Sequence, residues 1–264
     1  MNGVKMPAMI PQTVNVRHED NVCFLQLHRP QANNTINRLV IEECLATVEQ
    51  CRASSTVLVV EGLPDVFCLG ADFVDLTMPR QASRLQNGES DAELLYKLWL
   101  QFVTGPFITM AHVRARANAG GVGFAAACDI VVASTDAQFS LSEMLFGLFP
   151  ACVLPFLIRR VGVQRAHYLT LTTKPITVQE AHSWGLVDAF GADSEKLLRV
   201  HLRRLRCLNK RAIRDYKSFA AKFNSQLAEF QPEAVRANHK MFSDPENLDA
   251  IERYVTTGQL PWES

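Results

Sequence analysis

Short apolar runs and longer amphipathic stretches alternate along the chain. Val22 to Leu27 and Thr56 to Val60 are rich in β-branched and large apolar residues, and between them Ile36 to Cys51 carries apolar positions at helical spacing. Ile108 to Ala111 and Asp129 to Ala133 are two further strand-like runs, flanking an alanine-rich stretch, Gly123 to Ala127, that predicts a helix. Helical periodicity returns from Glu93 to Phe102 through Leu94, Leu95 and Leu98. Between these, Met78 to Ser90 is polar, holds Pro79, Asn87 and Gly88, and has no clean period, so it reads as a surface loop. The string T-V-Q-E from Thr177 sets Glu180 three residues after a hydroxyl, the signature of a capping box for a helix ending near Gly185. Beyond about Asp193 the pattern is helical to the C-terminus. Alternating strand and helix predicts an α/β core over residues 1–192, with a helical region over 193–264. No internal repeat is visible.

Composition narrows the function classes. The 264 residues are 48% hydrophobic and 20% charged, enough for one sizeable domain. Lys and Arg number 27, as do Asp and Glu, and this neutrality weighs against nucleic acid as the main partner. No apolar run approaches the roughly 20 residues of a membrane span. Met1 to Val14 lacks the apolar core of a secretion signal, so a cytoplasmic protein is expected. The cysteines (Cys23, Cys44, Cys51, Cys68, Cys128, Cys152, Cys207) are scattered without a C-x-x-C pair and read as reduced structural thiols. No His/Cys/Asp cluster has metal-ligand spacing, so neither metal nor cofactor is expected.

Three segments carry chemistry. In F-C-L-G-A-D-F, Phe67 to Phe73, Gly70 permits a turn that can aim the N–H of Ala71 into a cleft. In N-A-G-G-V-G-F-A-A-A-C-D, Asn118 to Asp129, two adjacent glycines open a helix whose free N–H groups suit a negative oxygen, and small residues allow close approach. It is not a nucleotide-phosphate loop, since G-x-G-x-x-G and G-K-[ST] are both absent. In A-Q-F-S-L-S-E-M-L-F-G-L-F-P, Ala137 to Pro150, Glu143 sits among Leu141, Met144, Leu145 and Phe146. It is either exposed on a turn or buried; burial would raise its pKa toward that of a general base working near neutral pH.

In this order and spacing the three segments resemble the crotonase (enoyl-CoA hydratase/isomerase) superfamily, from about Val14 to about Phe190 and less distinctly beyond. R-P-Q-A-N-N-T-I-N (Arg29 to Asn37) and I-T-V-Q-E-A-H-S-W-G-L-V-D (Ile176 to Asp188) match further signatures of that family. The resemblance implies a crotonase-type spiral of repeated ββα units with a helical C-terminal trimerisation region, forming a homotrimer or hexamer. It implies an oxyanion hole from the N–H groups of Ala71 and Gly120, catalysis by Glu143, and substrate contacts from Gly70, Gly121 and Arg29. The substrate would be an acyl thioester of acyl carrier protein phosphopantetheine, or of CoA.

Hydratases of the family use a second glutamate, and its position is held here by Gly123. Asp72 is a candidate replacement, with His112 and Tyr96 behind it. One-glutamate members include enoyl-CoA isomerases, so isomerisation stays open beside dehydration, as does a non-catalytic thioester-binding or scaffold role. H-R-P-Q-A-N-N-T-I-N, V-F-C-L-G-A-D-F and G-Q-L-P-W-E are similar to the free-standing dehydratases of bacterial polyketide β-branching cassettes. That resemblance implies dehydration of 3-hydroxy-3-methylglutaryl-acyl carrier protein to 3-methylglutaconyl-acyl carrier protein. Arg199, Arg203, Arg204, Arg206, Lys210, Arg211, Arg214 and Lys217 form a basic run on one expected helix, a candidate docking face for an acidic carrier.

Overall fold

The computed structural model describes residues 11–77 and 89–263. Most of the loop expected over Met78 to Ser90, and most of Met1 to Val14, lie outside the described residues. The expected α/β core is present. Among the described residues ten strands form two sheets: Val14–Glu19 (β1), Val22–Leu27 (β2), Val57–Glu61 (β3), Val66–Cys68 (β4), Ile108–Val113 (β5), Arg116–Asn118 (β6), Ile130–Ser134 (β7), Gln138–Ser140 (β8), Ile176–Thr177 (β9) and Ala189–Gly191 (β10). The larger sheet runs β1-β2-β3-β5-β7-β10 and the smaller β4-β6-β8-β9. Among these strands β1–β2 and β8–β9 pair antiparallel, and the other neighbours are parallel.

This topology is a repetition in space without repetition of sequence. Each long strand, β3, β5 or β7, is followed within four residues by a short one, β4, β6 or β8, which crosses into the smaller sheet. A helix or helical turn comes next: Phe73–Leu76 (α2) after β4, Gly120–Ala127 (α4) after β6, and the 3-10 turn Glu143–Phe146 after β8. β3 is buried along its whole length, as expected of a parallel strand covered on both faces.

The other helices of the core follow the sequence pattern closely. Arg38–Ser54 (α1) starts two residues later than expected, because Asn37 caps it by accepting from the N–H of Val40 while Ile36 is drawn into a bridge with Ala71. Asp91–Thr104 (α3) covers the periodicity of Leu94 and Leu98. Leu154–Val161 (α5) and Val163–Thr172 (α6) follow the 3-10 turn. Val178–Trp184 (α7) has both bonds of the capping box at Thr177 and Glu180, and Gly185 ends it in the left-handed region.

Ser194–Leu205 (α8), Lys210–Ala220 (α9), Ser225–Phe242 (α10) and Pro245–Thr257 (α11) complete the helical C-terminal region. The basic run does not lie on one helix. It is split by the turn between α8 and α9, and several of its charges are already engaged. Lys217 is buried and bonds Asp129 Oδ1 at 2.6 Å and the carbonyl of Phe102 at 3.0 Å. Arg206 pairs with Glu19 and Asp20, Arg214 with Asp215, and Lys210 donates to the carbonyl of Ala53. A burial pattern shared with apolar neighbours cannot be read from charge alone. Arg199, Arg203 and Arg204 stay exposed on α8.

Six cysteines are buried and Cys207 is exposed, all as free thiols. Among the described residues no helix is long and apolar enough to cross a membrane.

Candidate active site

The three segments singled out in the sequence meet at the ends of β4, β6 and β8. These strands are parallel neighbours, with Cys68 opposite Ala117 and Asn118 opposite Ser140. Each therefore delivers the residues after its last position to the same edge of the smaller sheet: Ala71 after β4, Gly120 after β6 and Glu143 after β8.

Ala71 sits in a parallel bridge with Ile36, in which Ile36 N–H donates to Gly70 O at 2.7 Å and Asp72 N–H donates to Ile36 O at 3.0 Å. In that pattern the flanking residues face Ile36, so the N–H of Ala71 is turned to the other side, where the residue is exposed. Gly70 makes this possible with φ of +90°. Gly120 is the first residue of α4, where an N–H has no partner within the helix. The hydrogen bonds of the described residues give neither N–H an acceptor. The two segments touch: a methyl group on Gly70 would lie 3.4 Å from the nitrogen of Gly120, and one on Gly120 would lie 3.6 Å from Gly70 Cα. Ala119, between β6 and Gly120, holds φ of +50°, a conformation costly for a residue with a Cβ. Its N–H is tied to Ser140 O at 2.9 Å, and its carbonyl accepts from Val122 and Gly123.

Glu143 opens the 3-10 turn. The residue keeps some exposed surface, but Oε2 is enclosed and has no hydrogen-bond partner among the described residues. Burial pushes its pKa up to about 7, against the opposing pull of the N–H groups of Glu143 and Ser142. Phe146, at the end of the turn, packs edge-on against Phe73 of α2 at 5.2 Å and against Tyr254 of α11 at 5.1 Å. The helix that follows Ala71 is thereby clasped to the turn that carries Glu143.

Other candidates are differently employed. Asp72 and Arg29 face each other as a largely buried ion pair at 2.8 Å, and Asp72 also caps α2 through the N–H of Asp75. Arg29 further donates to the carbonyl of Thr35 at 2.6 Å. Their charges brace the loop behind Ala71. Gly121 is buried, with its would-be Cβ position 2.2 Å from the carbonyl oxygen of Cys68, so its small size serves packing of α4 on β4. The Tyr96 hydroxyl donates to the carbonyl of Leu227 at 2.6 Å, and burial pushes its pKa up. His112 is fully buried between Glu61, 3.3 Å away, and Ser194, 2.9 Å away. That cluster, with Glu195, gathers ligand-type atoms, but Glu61 is neutralised by Arg17 at 2.6 Å and Glu195 by Arg114 at 3.1 Å.

Three residues that sequence reasoning passed over shape the site. The indole of Trp99, fully buried, occupies the space beside Gly123, where a Cβ would come within 2.4 Å of its ring. The position of the family's second glutamate is thus filled by an aromatic ring. Asn34 is buried, accepts from Arg29 N–H at 2.7 Å and donates to the carbonyls of Leu27 and Phe67, fastening the Arg29 loop to β4. Asn118 bonds Ser142, Ser140 and Leu69 at once. Its place in N-A-G-G, two residues before the first glycine, is the available signal.

Comparisons with known proteins show the family and the fold. The enoyl-CoA hydratase/isomerase family matches residues 17–264. Bacillaene synthase dehydratase PksH of Bacillus subtilis is 56% identical over 253 residues, covering 96% of this chain and 97% of that protein. Its crystal structure superposes with a TM-score of 0.90, covering 96% of this chain and all of the other. 2,3-Dehydroadipyl-CoA hydratase of Escherichia coli is 33% identical over 184 residues, 67% of this chain and 69% of that protein. Enoyl-CoA hydratase of Bacillus halodurans, at 19% identity, shares the fold with a TM-score of 0.82 over 91% of this chain and 99% of its own. The chain belongs to the enoyl-CoA hydratase/isomerase family, as a lyase of the hydratase and dehydratase kind.

Proposed function

We propose that this protein dehydrates 3-hydroxy-3-methylglutaryl-acyl carrier protein to 3-methylglutaconyl-acyl carrier protein. The observation that carries the reading is the enclosed carboxyl of Glu143, delivered by β8 to the edge where the free N–H groups of Ala71 and Gly120 adjoin. The likeness to a polyketide dehydratase over nearly the whole chain supports the substrate class.

The thioester carbonyl oxygen sits between the two N–H groups. Glu143 takes the α-proton, the C–H electron pair moves into the enolate, and the negative oxygen is held by the two donors. Fixed donors of this kind are worth roughly 3–4 kcal/mol each in a dry site. The enolate then collapses, the β-carbon–hydroxyl bond breaks, and protonated Glu143 returns its proton to the departing hydroxyl as water. A pKa of about 7 suits one group to both acts near neutral pH. A single carboxylate suffices because the proton removed is the proton returned, which agrees with the indole at the second position. Asp72 and Arg29 hold the Ala71 loop in place without touching the proton.

The protein works as a homotrimer or hexamer. Exposed aromatic residues on the C-terminal region, Tyr216, Phe219, Phe223 and Phe230, offer apolar surface for contact between copies.

The test is intact-mass measurement of carrier-bound 3-hydroxy-3-methylglutaryl after incubation with the protein. Loss of one water is expected, and Glu143→Gln should bind the thioester and lose turnover. A single-carboxylate site also fits a Δ3,Δ2-enoyl-CoA isomerase. Turnover of 3-enoyl-CoA with no loss of water from the carrier-bound acyl group would favour that reading. Full activity of Glu143→Gln would remove the catalytic assignment.

A further inference from the structure

The three groups of the proposed mechanism come from three different strands, and their mutual placement is not set by any one of them. We infer that Asn118 is the positioning residue that fixes Glu143 against the two N–H donors. Asn118 ends β6, the middle of the three parallel strands, and its carboxamide reaches both neighbours. Toward β8, Nδ2 donates to Ser142 Oγ at 2.8 Å and Oδ1 accepts from Ser140 Oγ at 2.8 Å. Toward β4, Nδ2 donates to the carbonyl of Leu69 at 3.4 Å. Ser142 immediately precedes Glu143, Leu69 lies two residues before Ala71, and Asn118 itself lies two before Gly120. One planar amide therefore spans the roots of all three groups.

The local backbone needs such a tie. Ala119 sits in a strained conformation that turns the chain from β6 into α4 and so directs the N–H of Gly120. Asn118 holds that turn toward β4 through Leu69 and toward β8 through Ser140, where the Ala119–Ser140 backbone bond adds a second tie. The Glu143 turn, for its part, is anchored at its far end by Phe146. At its near end, Ser142 is the point where it is tied back to β6. Removing the amide lets the carboxylate of Glu143 and the N–H of Gly120 shift relative to each other, the alignment that the transition state needs. A displacement on the order of 1 Å can cost about a hundredfold in rate.

The inference rests on the catalytic reading of Glu143 and the two N–H groups, so the experiment carries both. Loss of water from carrier-bound 3-hydroxy-3-methylglutaryl is followed by intact mass for wild type, Glu143→Gln, Asn118→Ala, Ser142→Ala and the Asn118→Ala/Ser142→Ala double variant. We expect Glu143→Gln to abolish it. Asn118→Ala should lower kcat about ten- to a hundredfold with KM held within about threefold. Ser142→Ala should do the same more weakly. The double variant should lose no more than Asn118→Ala alone, because the two share one tie. If Glu143→Gln abolishes loss of water while Asn118→Ala stays within about twofold of wild-type kcat, the Asn118 assignment falls and the catalytic reading stands. If Glu143→Gln turns over like wild type, or wild type releases no water, both fall. Should Asn118→Ala fail to fold, the isosteric Asn118→Asp carries the test. It keeps an acceptor for Ser140 but sets an oxygen against the carbonyl of Leu69, and wild-type kcat in that variant overturns the proposal.

Discussion

A carboxyl enclosed as Glu143 is holds its proton more tightly in the folded chain than in the open one. Its pKa rises to about 7 through burial. The fold therefore bears no penalty below an ordinary glutamate pKa, a growing one as pH climbs toward about 7, and a constant one above. The full penalty is on the order of 3 kcal/mol. Glu143→Gln, which mimics the protonated form, should melt well above wild type at about pH 8, and the two should nearly coincide at about pH 5. Activity should move the other way, with an acidic limb centred near pH 7 in kcat/KM, because the base must first be ionised. A limb near pH 4 would mean that another group takes the proton. Gly123→Glu, which restores the family's usual residue on paper, should gain no hydration of crotonyl-CoA. It should also cost several kcal/mol in denaturant unfolding, since the new Cβ falls within 3 Å of three atoms of the Trp99 ring.

At the scale of elements, one buried ion pair fastens α9 to the core. Lys217 reaches Asp129 and the carbonyl of Phe102, and Asp129 is also held by the N–H and hydroxyl of Thr109. Burial lowers the Lys217 pKa, and Asp129 opposes the shift. Lys217→Ala would leave Asp129 partly buried without its cation, with an expected loss of about 3–5 kcal/mol by chemical denaturation. A loss under about 1 kcal/mol would show the pair to be solvated. Such pairings mark the limit of legibility in the sequence. The long parallel strands, the capping box at Thr177 and the chemical segments around Ala71, Gly120 and Glu143 each announce themselves locally. The three-residue strands β4, β6 and β8 do not, being too short for periodicity, though they gather the site. The ion pair of Asp72 with Arg29 is not legible either, because the two lie 43 positions apart in the chain. The indole beside Gly123 belongs to α3, and only the packing of α3 on α4 brings the two together.

Across the whole molecule the net charge is zero, yet Arg199, Arg203 and Arg204 stand exposed on α8. Arg203→Glu together with Arg204→Glu should raise KM for a carrier-bound acyl group several-fold and leave the matching CoA thioester unaffected. Equal kinetics on both would locate carrier docking elsewhere. The exposed aromatic surface of the C-terminal region should make the mass in solution a multiple of three times 29.5 kDa, and Phe223→Asp, at a side chain 77% exposed, should reduce it. A wild-type protein with the mass of one chain would refute the assembly. The Trp99–Gly123 contact also makes the two positions interdependent. An acid at 123 meets the indole and fits only beside a smaller side chain at 99, so the two changes are tolerated in one order and not in the other.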